Sequence, residues 1–222
     1  MNDKIKAFLK KNKYLIKENK WKEIYEAAEK ELGNNVGKFT EIWLNINIHP
    51  ENYLTKLPKN FCRRSTIKNF TIPNPITSID SYAFTGCTSL TSVTIGNSVT
   101  SIGDDAFSCC TGLTSITIPD SVTSIGTEAF EDCISLTSVV IPDSVTSIDF
   151  YAFSGCSSLT HVIIPDSVTH ISDEAFTYCG DKLIIDYSGT KSDWKKIYNP
   201  RAFKNTSFTV NCTDGKIVKK KR

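Results

Sequence analysis

The chain has 222 residues, 26 Lys/Arg against 24 Asp/Glu, 40% hydrophobic and 23% charged residues, which fits a folded soluble protein of one domain or two small ones. No apolar run approaches the ~20 residues needed to span a bilayer. The opening MNDKIKAFLKKNKYLIKENK lacks the apolar core and small-residue cleavage site of a secretory signal, so a cytoplasmic or particle-associated location is expected.

The near-neutral total hides an asymmetry. Residues 1–64 hold 14 Lys/Arg against 8 acids (net +6), residues 65–181 one Lys against 13 acids (net −12), and residues 182–222 hold 11 against 3 (net +8). Charged ends keep a stackable array soluble, and the final KIVKKKR reads as a solvated basic tail. No nucleic-acid partner is favoured.

Residues 1–52 read as a helical N-terminal cap. Asn2 or Asp3 caps a first helix with Ile5, Phe8 and Leu9 on one side. A second spans Glu18–Leu32, where Trp21, Ile24, Tyr25, Ala28 and Leu32 fall on one stripe before Gly33 stops it. A third runs from about Val36 to Asn47, burying Phe39, Ile42, Trp43 and Ile46, and ends at His49-Pro50.

Residues 53–187 are dominated by a unit of 23 residues that starts at Leu90 and returns from Leu113, Leu136 and Leu159. Fixed-period self-similarity predicts a solenoid, because one short unit buries its apolar side only by stacking on copies of itself. A degenerate earlier unit begins near Leu57: Ile67, Phe70 and Ile72 align with Leu90, Val93 and Ile95, Phe61 lies 23 before Phe84, and Arg64 stands where later units carry Cys. Within a unit, Leu-x-x-Val-x-Ile predicts a short strand with alternate residues inward. Pro-Asp-Ser predicts a turn, Val-Thr-Ser-Ile a second short extended piece, and Ala-Phe a short helical turn with Phe in the widest part of the core. Cys87, Cys110, Cys133, Cys156 and Cys179 are spaced by the period, so they mark one structural position rather than disulfide pairs, and reduced thiols are expected.

These units resemble the BspA-type leucine-rich repeat family, with its L-x-x-V-x-I-P-x-S-V-T-S-I-G-x-x-A-F-x-x-C pattern, across about residues 57–187. Residues 188–222 form a C-terminal cap and basic tail. Tyr187-Ser-Gly-Thr-Lys-Ser-Asp-Trp194-Lys-Lys-Ile197, followed by Cys212-Thr-Asp-Gly215, resembles the closing piece of such proteins, with Trp194 and Ile197 covering the last turn. The resemblance implies a mainly β leucine-rich-repeat solenoid used for adhesion or protein recognition, often on microbial surfaces, without an active site or cofactor.

His161 and His170 replace Ser positions of earlier units and point outward, with no second ligand or nucleophile expected beside either. The Asp120, Asp143 and Asp166 ladder is explained by turn chemistry, so no metal is implied. No GxxxxGK[ST], HExxH or GxSxG occurs, and an enzyme is not expected. The outward rows of the strand surface are the candidate partner-binding residues: Ser92, Ser115, Ser138 and His161 in one, Thr94, Thr117, Val140 and Ile163 in the other. The rows lose polarity toward the later units, making Val140 and Ile163 a candidate contact patch unless C-terminal residues cover them. The expected function is recognition of a protein partner through the concave strand face by a monomer. The alternative is a structural or display protein docked by its basic N-terminal region onto a larger assembly, such as a phage particle or cell-surface complex.

Overall fold

The computed structural model describes residues 3–11, 27, 30, 31, 56, 57, 59–63, 67–72, 74 and 76–220. The first predicted helix is present as α1 (Asp3–Lys11), and its Phe8 is buried in the core cluster. The predicted helices at 18–32, apart from residues 27, 30 and 31, and at 36–47 lie outside the described residues, as does the cap they would form.

From residue 56 the chain winds through two series of parallel strands. The shorter series comprises β1 (Lys56–Leu57), β3 (Ser78–Ile79), β5 (Ser101–Ile102), β7 (Ser124–Ile125), β9 (Ser147–Ile148) and β11 (His170–Ile171). The longer series comprises β2 (Asn69–Ile72), β4 (Ser92–Ile95), β6 (Ser115–Thr117), β8 (Ser138–Val140), β10 (His161–Ile164) and β12 (Leu183–Tyr187). After the helix α2 (Lys191–Ile197), β13 (Phe208–Cys212) joins β12 in parallel and β14 (Gly215–Lys219) pairs antiparallel with β13, giving the order β14-β13-β12-β10-β8. Register keeps like on like: Val93 opposes Ile116, and Val139 opposes Val162. A 23-residue repeat has no other way to keep every apolar column inward at once.

The turns follow from their residues. In each Pro-Asp-Ser-Val segment the Val N–H donates to the Pro C=O, at 3.0 Å for Val122 to Pro119. The Ser hydroxyl then donates to the Val carbonyl of the unit before, as Ser121 does to Val99 at 2.6 Å and Ser167 to Val145 at 3.0 Å. Thr91, Thr114, Thr137 and Thr160 each donate a hydroxyl to the carbonyl 23 residues earlier, over 3.0–3.3 Å. Much of the Ser/Thr richness is therefore consumed in holding unit to unit.

Ala-Phe sits in a third ladder. The Phe N–H groups of residues 84, 107, 130, 153 and 176 donate to the Ala carbonyl of the next turn over 2.7–2.9 Å. The rings of Phe84, Phe107, Phe130, Phe153 and Phe176 stack nearly parallel, with centroids 5.1–5.4 Å apart. The residues flanking each Ala-Phe adopt left-handed backbone: Tyr82, Asp105, Glu128, Tyr151 and Glu174 before it, and Gly86, Cys109, Asp132, Gly155 and Tyr178 after it. Beside the rings runs the thiol column. All eight cysteines are free, and the Sγ–H groups of Cys110, Cys133, Cys156 and Cys179 donate to the Phe carbonyl of the preceding turn over 3.1–3.2 Å. Burial pushes the Cys133 and Cys156 thiols up, so they keep the proton that the hydrogen bond requires.

Two departures from the 23-residue rule lie at the ends. In the first unit Cys62 N–H donates to Ala83 C=O, the role of Phe84 N–H one turn later, and Leu57 pairs with Ile79. The offset here is therefore 22, and Phe61 occupies the Ala position rather than the expected Phe position. Its ring packs edge-on against Phe84 (6.0 Å, 75°) and closes the stack instead of extending it. At the other end Ala202-Phe203 forms a sixth Ala-Phe turn, the seventh turn of the stack counting Phe61-Cys62, 27 residues after the one before, with Phe203 stacked on Phe176 at 5.3 Å. Thr206 takes the Cys place in this turn, donating its hydroxyl to Phe176 C=O at 2.8 Å. The four additional residues admit α2, which starts in a Thr190/Asp193 capping box and buries Trp194 against Tyr187, Tyr198 and Phe203. Trp194 and Ile197 are thus buried, but residues 199–212 add a turn to the stack that a cap at 188–222 did not anticipate.

Candidate interaction surface

The alternation that buries Val93, Ile116, Val139 and Val162 turns their neighbours outward. All eight predicted contact residues lie on this face in two rows. Ser92 is registered with Ser115 and Thr94 with Thr117, and further along Ser138 meets His161 and Val140 meets Ile163. The Ser and Thr end is polar and exposed, and Ser92 donates to the Asn69 side chain at 2.8 Å.

The closing residues extend the face rather than cover it. Val140 remains 52% exposed. Ile184, opposite His161, is exposed, as is Val218, which is joined to the same row through Thr209. Ile163 is half-buried between the Val140 and Asp186 positions. The result is an apolar stripe of Val140, Ile163 and Ile184, with Val218 further along beyond Thr209, on a face that is otherwise Ser, Thr, Asn and charged.

In the middle of the stripe lies a polar pair that the repeat logic did not anticipate. His161 Nε2 is 2.7 Å from Asp186 Oδ2, and Asn211 Nδ2 donates to Asp186 Oδ1 at 2.6 Å. The expectation that nothing stands beside His161 is therefore corrected. Asp186 is 25 residues away because the contact is diagonal: β12 keeps the 23-residue register, Asp186 lies opposite Ile163, and His161 reaches it from two positions earlier. Asn211, then His161, hold the Asp186 carboxyl below its ordinary range, so it is an acceptor and His161 Nε2 is the donor. His170 lies in β11, in the shorter strand series, away from this pair.

A second charged region lies on the Ala-Phe turns. Burial, opposed by a Tyr82 hydrogen bond but aided by Asp104, raises the Asp105 carboxyl, and burial with the Asp105 charge raises Glu128. Burial, then the charges of Glu128, Asp132 and Asp105, push Glu131 up to about 7. The repeat stacks these carboxylates on successive turns, and this explains their mutual repulsion. Among the described residues no group of three or more His, Cys, Asp or Glu is arranged to hold a metal ion, and no helix is long and apolar enough to cross a membrane.

The arrangement matches known proteins at the level of family and fold. The model of the BspA type leucine rich repeat region matches residues 55–182 in six copies. No curated protein sequence matches. Among solved structures, the chain is similar to the T. pallidum leucine rich repeat protein TpLRR, with 35% identity over 52% of this chain and 57% of that one and a TM-score of 0.49. It is also similar to the pneumococcal vaccine antigen PcpA (20% identity, 71% and 39% covered, TM-score 0.55) and to a leucine-rich repeat protein from Eubacterium ventriosum (23%, 69% and 44%, 0.50). The chain spans 57% or less of the length of each of these three. With the repeats, their register and more than half of its length matched, the chain belongs to the BspA-type leucine-rich repeat family.

Proposed function

We propose that this protein is a non-enzymatic recognition module that binds a protein partner through its strand face. The observation that supports this reading is the apolar cluster of Val140, Ile163 and Ile184 on neighbouring strands, exposed at Val140 and Ile184 and half-buried at Ile163, with exposed Val218 further along beyond Thr209, on a sheet whose other outward positions are polar. Exposed apolar residues that cluster on a rigid surface, rather than scatter, mark places where burial is gained on binding. The His161–Asp186–Asn211 chain gives the stripe a fixed polar centre, which orients a partner without demanding a pocket. Ser92, Thr94, Ser115, Thr117 and Ser138 form the polar approach to it.

The test is affinity capture with the intact protein and a Val140→Glu/Ile163→Glu variant, both shown to keep the wild-type Tm. Loss of a partner captured by the wild type is the expected result. An unchanged set of partners would remove the strand face from consideration. The pair Ser92→Glu/Thr94→Glu, at the polar end, serves as a comparison and is expected to weaken capture less.

A further inference from the structure

The open edge of the strand sheet has a chemistry of its own. Leu183 N–H donates to Ser207 C=O at 3.0 Å, so residues 207, 209 and 211 direct their backbone groups toward β12. Alternation turns residues 208, 210 and 212 toward β14, where register pairs them with Lys219, Ile217 and Gly215. The N–H and C=O groups of Lys216 and Val218 therefore point out of the sheet, and no described residue pairs with them. The strand is five residues long, enough for a short extended segment to add to it.

The side chains select what adds. Ile217 packs against the core, while Val218 is 64% exposed and Lys216, Lys219 and Lys220 are exposed. Lys219 Nζ lies 5.5 Å from the Tyr198 ring centre, which keeps that charge at the rim. Residues 182–222 carry 11 Lys/Arg against 3 acids. A second copy pairing through β14 would set a lysine-bearing strand beside its twin, and like charges on paired strands are destabilising. An acidic strand meets the opposite condition.

We propose that the β14 edge accepts an extended acidic peptide segment of a partner by β-strand addition. The outward backbone groups of Lys216 and Val218 supply the ladder. Lys216 and Lys220 meet carboxylates, and Val218 meets an apolar residue two positions from one of them. This edge site shares Val218 with the strand-face reading, and the Val140→Glu/Ile163→Glu variant separates the two.

The experiment uses the full chain and three fluorescent synthetic peptides: a Glu-x-Val-x repeat, which sets Glu and Val alternately on one strand face, the same peptide N-methylated at alternate residues, and a Lys-x-Val-x repeat. Fluorescence anisotropy should show saturable binding of the first only. N-methylation blocks the ladder while leaving the charge, so equal binding of the first two peptides overturns strand addition, as does no binding of the first. Val218→Pro removes an outward N–H that β13 does not use, and is expected to weaken binding at least tenfold. Lys216→Glu/Lys220→Glu is expected to do the same, whereas undiminished binding to either variant counts against the proposal. Val140→Glu/Ile163→Glu should bind like the wild type, and loss there would move the peptide to the face. Sedimentation showing a dimer that Val218→Pro dissociates would assign the edge to a second copy instead.

Discussion

The thiol column makes a sharp prediction at Cys156. Its Sγ–H donates to Phe130 C=O at 3.2 Å, and the residue is fully buried. Replacement by Ala removes that bond, worth ~0.5–1.5 kcal/mol net. It also removes a buried atom about the size of a methylene, worth ~1 kcal/mol with its share of cavity cost. The Phe130 carbonyl is not orphaned, because Cys133 N–H still reaches it at 3.3 Å, so the larger penalty of an unpaired buried acceptor does not apply. Cys156→Ala should therefore lose ~1.5–2.5 kcal/mol by these terms. Cys156→Ser keeps a donor, and the seventh turn already uses a hydroxyl there, Thr206 donating to Phe176 C=O at 2.8 Å. It should lose about 1 kcal/mol or less. Urea unfolding with a shared m-value measures both. Ser as damaging as Ala would refute the idea that the column is kept for its hydrogen bond, leaving apolar filling as its role.

Other consequences follow from the same geometry. Phe130→Ala removes a ring stacked on both sides and should cost ~3–5 kcal/mol, broadening or splitting the urea transition, since each turn is stabilised mainly by its neighbours. Tyr178 is 58% exposed with φ 55°, where the unit before has Gly155 at 71°. Tyr178→Gly should thus raise stability by ~0.5–1 kcal/mol, the left-handed penalty less glycine's entropy cost, as read from the urea midpoint. Glu131 binds its proton more tightly when folded. Its contribution is fully present below the unfolded value of 4.5 and is lost as pH rises through about 7. The Tm should fall between pH 5 and 8, and Glu131→Gln should flatten that fall. Asp173, Asp186 and Asp193, whose carboxyls are lowered, affect stability only as pH drops below about 4, outside this window.

The middle of the fold was legible because sequence period and structural period coincide there. Leu90, Val93, Ile95, Phe107 and Cys110 recur with every turn, and each recurrence is a column. The ends were harder, since a terminal turn meets something other than its copy. Phe61 was read by its distance of 23 from Phe84, but the backbone slips by one, and a shared ring type concealed the slip. Ala202-Phe203 escaped because four residues open the unit to seat α2, although Ala-Phe followed by a hydroxyl residue in the Cys place was a usable signal. The surface shows the same division. Val140 and Ile163 could be placed from the repeat alone. Ile184 and Asp186 keep the 23-residue spacing from His161 and Ile163, though their sequence no longer carries the repeat's pattern, whereas Asn211 and Val218 lie on β13 and β14, where the spacing changes.

The claim on which everything else rests is that seven turns stack into one continuous core from Phe61 to Phe203, with β14 as the open edge of the strand sheet. Residue-resolved amide hydrogen exchange of the intact protein tests it most directly. The account predicts strong, near-global protection for the N–H groups of Phe107, Phe130, Phe153 and Phe176, each bonded to the next turn, and fast exchange for Lys216 and Val218. Fast exchange at Phe176 with protection retained at Phe107 would show that the closing segment does not form a turn of the stack. Fast exchange along the whole Phe column would contradict the shared core itself.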